Sequence, residues 1–420
     1  MTYRYDVVIA GAGPAGIAAA VEAAESGRKT ALLERYGAVG GNLTLGFVGP
    51  FMGNVSKGTM AERIEALLKP EGRNHYNYEE AKYVLMKLLF DAGVDVFLQM
   101  QVTSCEKEGE KLTSVTAVSK GTPYRFEAPV FIDATGDGDL AALAGCEVMM
   151  GREEDGLCQP MSFMFQIENV APWQKLECCH EEHYTVLSNG KEYLSLCHEA
   201  CRDGRLPPTC NIVRLYAMEN PDERMVNATQ YNGGDPLDPR SLARADYELR
   251  RQAEMIVGFL KENVPGFEEI RIKSGASTVG VRESRRIKGH YVLSAEDLIE
   301  GRRFPDAVVH EANFPIDIHN PAGAGQAVGE EICPVTAKPY DIPFRAMRPL
   351  HVSNLITAGR CISGTHEAHA SYRIMRIVMA MGQAAGAAAS LMGEKGLSST
   401  AELDADLLRA RLISRGVVLE

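Results

Sequence analysis

Apolar and polar positions change rhythm along this chain, and the first block is the sharpest. Tyr5-Asp6-Val7-Val8-Ile9-Ala10 is a short, β-branched apolar run of the kind that forms a strand buried on both faces. A glycine-rich turn follows, then an alanine-rich stretch from Ile17 to Ser26 that reads as a helix ended by Gly27. Lys29-Thr30-Ala31-Leu32-Leu33 begins a second strand, closed by Glu34. Farther on, Ala81, Val84, Leu85, Leu88 and Leu89 share one face of a helix predicted over 79–92, and Val94-Asp95-Val96-Phe97-Leu98 reads as another strand. Val102 and the alternating stretch from Leu112 to Val118 predict a small β-meander. Prolines at 160, 172, 207, 208, 221, 236 and 239 then break the middle of the chain into short elements, with one long helix predicted from Ser241 to Asn263.

Between the first strand and first helix stands Gly11-Ala12-Gly13-Pro14-Ala15-Gly16, a G-x-G-x-x-G fingerprint in its required strand–turn–helix setting. Gly11 permits the tight turn, Gly13 lets backbone approach a pyrophosphate, and Gly16 lets helix and strand pack closely. The helix N-terminus offers free N–H groups and a positive dipole end to phosphate. Glu34, 18 residues beyond Gly16, suits ribose hydroxyls and disfavours the 2′-phosphate of NADP. The fingerprint predicts dinucleotide binding on an α/β, Rossmann-like fold, and by itself leaves FAD and NAD both open.

Four further segments carry a resemblance. Arg35-Tyr36-Gly37-Ala38-Val39-Gly40-Gly41-Asn42 follows the acid with a glycine pair, and Asp133-Ala134-Thr135-Gly136-Asp137-Gly138 ends an apolar strand. Thr357-Ala358-Gly359-Arg360 stands near the C-terminus, followed by Met381-Gly382-Gln383-Ala384-Ala385-Gly386 on a small-residue helix. With Val281-Arg282-Glu283-Ser284-Arg285-Arg286 and Tyr340-Asp341-Ile342-Pro343-Phe344-Arg345, these resemble the bacterial FAD-dependent oxidoreductases of the glutathione reductase superfamily, relatives of the fumarate reductase flavoproteins. The resemblance implies FAD as cofactor, held by Gly11, Gly13, Pro14, Ala15, Gly16, Glu34, Arg35, Gly40, Gly41, Asn42, Val102, Ala134, Thr135, Gly136, Gly138, Arg345, Gly359, Arg360, Met375, Gly382 and Gln383. It also implies a discontinuous FAD-binding domain, residues 1–155 and 336–420, with residues 156–335 as an inserted mixed α/β substrate or cap domain.

Several polar residues are candidates for chemistry. Arg282, Arg285 and Arg286 would share a face if their segment were helical, and guanidinium pairs suit carboxylate or phosphate. The same residues also suit an interdomain salt-bridge network. His319, in Pro315-Ile316-Asp317-Ile318-His319, is a candidate base that takes a proton while hydride leaves for flavin N5, or simply a residue capping the turn before Pro321. Thr365-His366-Glu367-Ala368-His369 is one residue short of H-E-x-x-H, so that zinc signature is absent. His366 reads as flavin-adjacent, with His369 and Arg373 as specificity residues. Cys178, Cys179, His180, His183, Cys197, His198, Cys201 and Cys210 form a loose soft-ligand set in which only Cys197-x₃-Cys201 and the adjacent Cys178-Cys179 come near the paired C-x₂₋₄-C units of structural zinc, and buried thiols are the preferred reading over metal.

Composition narrows the partners. With 44 Lys+Arg against 56 Asp+Glu, a formal charge of −12 and no basic tract, the 420-residue chain is unsuited to nucleic acid. No window reaches the roughly 18 apolar residues of a membrane span, and the N-terminus lacks a signal-peptide pattern. Ten cysteines without regular spacing suit a reducing, cytoplasmic setting. The expected activity is hydride transfer between a small polar metabolite, at a hydroxyl- or amine-bearing carbon, and FAD. Its alternatives are reduction of an activated C=C bond and a flavin electron-transfer subunit. The electron partner is open, and a homo-oligomer is compatible with the sequence.

Overall fold

The computed structural model describes residues 1–69, 76–179, 184–325 and 335–420, with the backbone alone at 327–328 and 331–332. Its centre is a five-stranded parallel sheet in the order Leu355–Thr357, Val130–Asp133, Val7–Ala10, Thr30–Glu34, Asp95–Leu98. Every residue of Val7–Ala10 and Thr30–Glu34 is buried, as continuous apolar runs in a covered parallel sheet require. The fold is thus α/β with a Rossmann-like core.

One face of this sheet is covered by the helix Pro14–Glu25. That helix packs in turn on Met375–Lys395, where Gly382 and Gly386 allow backbone contact. A Cβ at Gly382 would stand 2.1 Å from Ala15 O, and one at Gly386 would stand 2.4 Å from Ala19 O. The meander expected after Val102 is present as Gln101–Glu108, Lys111–Ser119 and Thr122–Glu127, extended by Thr2–Arg4 running parallel to its last strand. Phe97 and Phe126 meet edge-on at 5.1 Å and fill the space between the two sheets.

Within residues 156–335, a four-stranded antiparallel sheet runs in the order Arg214–Ala217, Arg224–Asn227, Phe165–Glu168, Arg271–Gly275. The same segment holds the long helix Pro239–Asn263, which begins two residues earlier than the apolar pattern suggests. Asp238 caps that helix by accepting from the N–H groups of Arg240 and Ser241, and Pro239 takes the first helical position, where no N–H is needed.

Candidate active site

A cavity of about 420 Å³ opens where the strands of the parallel sheet end and the first helix begins. The three fingerprint glycines meet three different demands there. Gly11 sits at φ +93°, where a Cβ would also lie 2.5 Å from Ala134 O. A Cβ on Gly16 would lie 1.8 Å from Gly11 O, so only glycine closes this turn. Gly13 has ordinary backbone angles, and a Cβ there would meet nothing within 4 Å. Its bareness serves the cavity it lines and not the fold.

A discriminating prediction follows from that contrast. Gly13→Ala should keep the thermal midpoint of the flavin-free protein while weakening FAD binding by about tenfold or more, seen as lost visible absorbance after gel filtration. Gly16→Ala should lower the midpoint itself, by an overpacking cost of about 1–3 kcal/mol. Equal behaviour of the two variants would refute the assignment.

Glu34 ends the second strand almost wholly buried; its Oε2 accepts from Ala12 N–H at 2.7 Å and its Oε1 from Tyr36 N–H at 2.9 Å. Burial pushes its carboxyl above the ordinary range, against the pull of those N–H groups. Across the cavity, Asp137 Oδ1 accepts from Arg360 Nη2 at 2.6 Å and from Ser284 Oγ at 2.7 Å, while Oδ2 accepts from Arg35 Nη2 at 3.1 Å. Burial opposes ionisation of Asp137, but the charges of Arg360 and Arg35 overcome it and hold the carboxyl at about 2. Arg35 and Arg285 also pair with Asp139. Arg35 and Arg360, in the cavity wall and held by Asp137 beside a bare helix N-terminus, suit a diphosphate, and these residues fit FAD.

Of the predicted cofactor residues, Gly11, Gly13, Pro14, Ala15, Glu34, Arg35, Gly41, Asn42, Val102, Ala134, Thr135, Gly136, Gly359, Arg360 and Met375 line this cavity. Gly16, Gly40 and Gly138 shape its walls from behind. Gly40, at φ +108°, donates its N–H to Ala12 O, and a Cβ on Gly138 would strike Ile287. Three assignments need correction. Arg345 points away, paired with Asp306 at 2.9 Å and lying over the Tyr291 ring. Gly382 serves the helix–helix contact described above. Gln383 is buried beside it, with Oε1 accepting from Met60 N–H at 2.8 Å and Nε2 donating to Glu22 at 3.3 Å. Their small or amide side chains are explained by packing.

Pro236, Leu242, Thr278, Val279 and Val281, none of them a site residue expected from sequence, also line the cavity. Asp137 stands inside the 133–138 motif and Asp139 directly after it, and neither spacing nor residue type marks them as the anchors of Arg35, Arg285 and Arg360 that they are.

The expected chemistry residues separate into two groups. Arg282, Arg285 and Arg286 do not share a helix face, because Arg285–Ile287 is a strand paired with Val148–Met150. Arg285 therefore turns to Asp137 O at 2.8 Å and to Asp139, at the diphosphate end. Arg286 is buried against Glu283 and donates to Gly364 O and Gly151 O. Glu283, fully buried, also accepts from Gln159 N–H at 2.9 Å and faces His366 Nδ1 at 2.9 Å. His366 thus belongs to a buried ion network and is absent from the cavity lining. His369, wholly buried, meets Tyr372 edge-on at 5.5 Å.

Arg282, His319 and Arg373 do come together. Arg373 lines the large cavity; Arg282 and His319 line an adjoining polar recess of about 20 Å³ with Arg214, Asn227 and Thr229. Gln159 Oε1 accepts from both His319 N–H, at 3.3 Å, and Arg373 Nη2, at 3.5 Å. Asp317 Oδ2 lies 3.8 Å from His319 Nε2 and 3.8 Å from Arg373 Nη2. Burial, then the charges of Arg282, Arg373 and Arg214, push the His319 imidazole well below its ordinary value, so the ring is neutral at pH 7.

Among the described residues no group of three or more His, Cys, Asp or Glu is arranged to hold a metal ion. Cys197 and Cys210 are buried thiols pushed up to about 12 by burial, and Cys201 donates to Pro207 O at 3.2 Å. His180 and His183 lie outside the described residues. No single described helix is long and apolar enough to cross a membrane.

Comparison with known proteins places this geometry. A digeranylgeranylglycerophospholipid reductase of Methanoculleus marisnigri is 28% identical over 190 residues, 38% of this chain and 45% of that one. A soluble pyridine nucleotide transhydrogenase of Hahella chejuensis is 57% identical over 42 residues, 10% of this chain and 9% of that one. The matches thus span less than half the length of these curated relatives. A crystal structure of a geranylgeranyl bacteriochlorophyll reductase-like protein from Thermoplasma acidophilum superposes with a TM-score of 0.52 at 13% identity, over 99% of this chain and 85% of that one, and shares the fold. Residues 6–412 match the profile of one family along nearly the whole chain, and the protein belongs to it: the FAD dependent oxidoreductases, flavoprotein enzymes that bind FAD.

Proposed function

We propose that this flavoenzyme oxidises a small polar metabolite at a carbon bearing a hydroxyl or amine. The observation that carries the reading is Arg373 in the wall of the FAD cavity, linked through Gln159 and Asp317 to the buried, neutral His319 of the polar recess. FAD, when bound, supplies the hydride acceptor at N5. His319 takes the hydroxyl or amine proton on its imidazole, and Asp317, 3.8 Å from Nε2, stabilises the charge gained. Val279, Val281 and Leu242 keep water from the reacting carbon. The electron acceptor that reoxidises the flavin, an expected small molecule or protein, is part of the proposal, as are action without nucleic acid or membrane and the placing of residues 156–335 as the cap.

A second reading is reduction of an activated C=C bond, favoured by the two buried arginines beside the histidine. The glutathione reductase-type and fumarate reductase-related kinship is proposed on the Ala134-Thr135-Gly136 strand end and the glycine-arginine pair at 359–360.

Anaerobic visible spectra with pooled polar metabolites test the choice. Bleaching of the flavin band by a hydroxy- or amino-compound pool is expected. A flavin that no pool bleaches, but that enoates reoxidise after chemical reduction, would establish the reductase reading instead.

A further inference from the structure

We propose that Arg282, Arg373 and Gln159 form a subsite that takes a carboxylate of the substrate, fixing it between the recess and the flavin cavity. This deepens the oxidoreductase reading and rests on it only in calling the ligand a substrate.

Two buried donors point the same way. Gln159 Nε2 and Arg373 Nε find no acceptor among the described residues, although Gln159 is 2% exposed and the Arg373 side chain 13%. A buried donor without an acceptor costs about 1–3 kcal/mol, a cost that a bound oxyanion removes. Both belong to side chains already joined, since Gln159 Oε1 accepts from Arg373 Nη2.

The charge balance agrees. Arg282 donates one N–H to Pro160 O at 2.7 Å and lines the recess with Asn227 and Thr229. Burial, then the nearby charge of Arg373, bring its guanidinium down to about 9, the mark of two cations crowded in a dry place. A carboxylate relieves that repulsion and accepts planar N–H pairs from guanidinium. Asp317, 3.8 Å from Arg373 Nη2, also faces this pair, while elsewhere in the site Arg35, Arg285 and Arg360 are matched to Asp137 and Asp139. The recess, about 20 Å³, admits a group the size of a carboxylate or one water and no sugar or ring. The substrate class is therefore a small hydroxy or amino acid anion and not a neutral alcohol or polyol.

Acetate and its neutral isostere acetamide are the probes, titrated into the FAD-loaded enzyme while the flavin difference spectrum is recorded. Acetate is expected to give a saturable change and acetamide none. Arg282→Gln should raise the half-saturating acetate concentration tenfold or more, and Gln159→Leu severalfold. Equal responses to acetate and acetamide, no saturable response to acetate, or an Arg282→Gln enzyme that titrates like the parent would overturn the subsite. The acetate–acetamide comparison uses the unaltered enzyme, so it decides even if a variant does not fold. Because the signal is binding and not turnover, a wrong redox assignment leaves this titration intact, whereas carboxylate binding without bleaching by any hydroxy or amino acid would fault the reaction alone.

Discussion

Glu283→Gln is expected to destabilise the protein by about 3–5 kcal/mol, the usual cost of removing one partner from a buried ion pair. Glu283 has no exposed surface and receives Arg286, Gln159 N–H and His366 Nδ1 on its two oxygens. A glutamine offers one acceptor oxygen and sets its NH₂ against the other donors. Arg286 would keep its carbonyls, Gly364 O and Gly151 O, but lose its counter-charge at 3% exposure. Denaturant titration of parent and variant at pH 7 measures the loss. An unchanged midpoint would show that the network contributes nothing to stability.

The pH dependence has a definite sign. Burial raises the Glu283 carboxyl, but the His366 hydrogen bond and the charges of His366 and Arg286 outweigh that and leave it below the ordinary carboxylate range. Its stabilisation is therefore present above the unfolded value of about 4.3 and lost as pH falls through the lower folded value. The parent should lose stability across that acid window more steeply than the glutamine variant.

The second large effect concerns turnover. His319→Gln should slow substrate-driven flavin bleaching by about 10²–10⁴, the usual contribution of a positioned general base. FAD content should not change, since His319 lines the recess and not the flavin cavity. In the parent, the imidazole lies well below its ordinary value of about 6.5, so the bleaching rate should stay level from pH 8 to below that value and fall only on further acidification. Stopped-flow bleaching across pH reads both. A variant within threefold of the parent would remove His319 from the role.

The cofactor end of the site was legible because its constraints are local. Strand, glycine turn, helix and acid lie within 30 residues, from Tyr5 to Glu34, and Gly16 answers to Gly11 within the same turn. The rest of the site was harder to read. Arg282, Arg285 and Arg286 carry helical spacing, but spacing has meaning only once the element is known; Arg285 and Arg286 are consecutive residues of a strand and turn to opposite faces, and Arg282 lies before it. Gly382 and Gln383 misled for another reason: a stripe of small residues looks the same whether a cofactor or a second helix approaches it. Gln159 gave no pattern at all, since its importance comes from joining Glu283, Arg373 and His319, which lie far apart in sequence.

The contact of Gly382 and Gly386 with the first helix also bears on how the protein is made. The FAD fingerprint leaves the ribosome well before residues 375–395, so the helix it opens lacks its packing partner until they emerge. At about 5–20 residues per second, that wait is on the order of tens of seconds. The strand Leu355–Thr357, which completes the parallel sheet, and Gly359 and Arg360 of the cavity wall arrive equally late. Flavin loading thus waits on residues 355–395, and a chain truncated before residue 355 should bind no flavin.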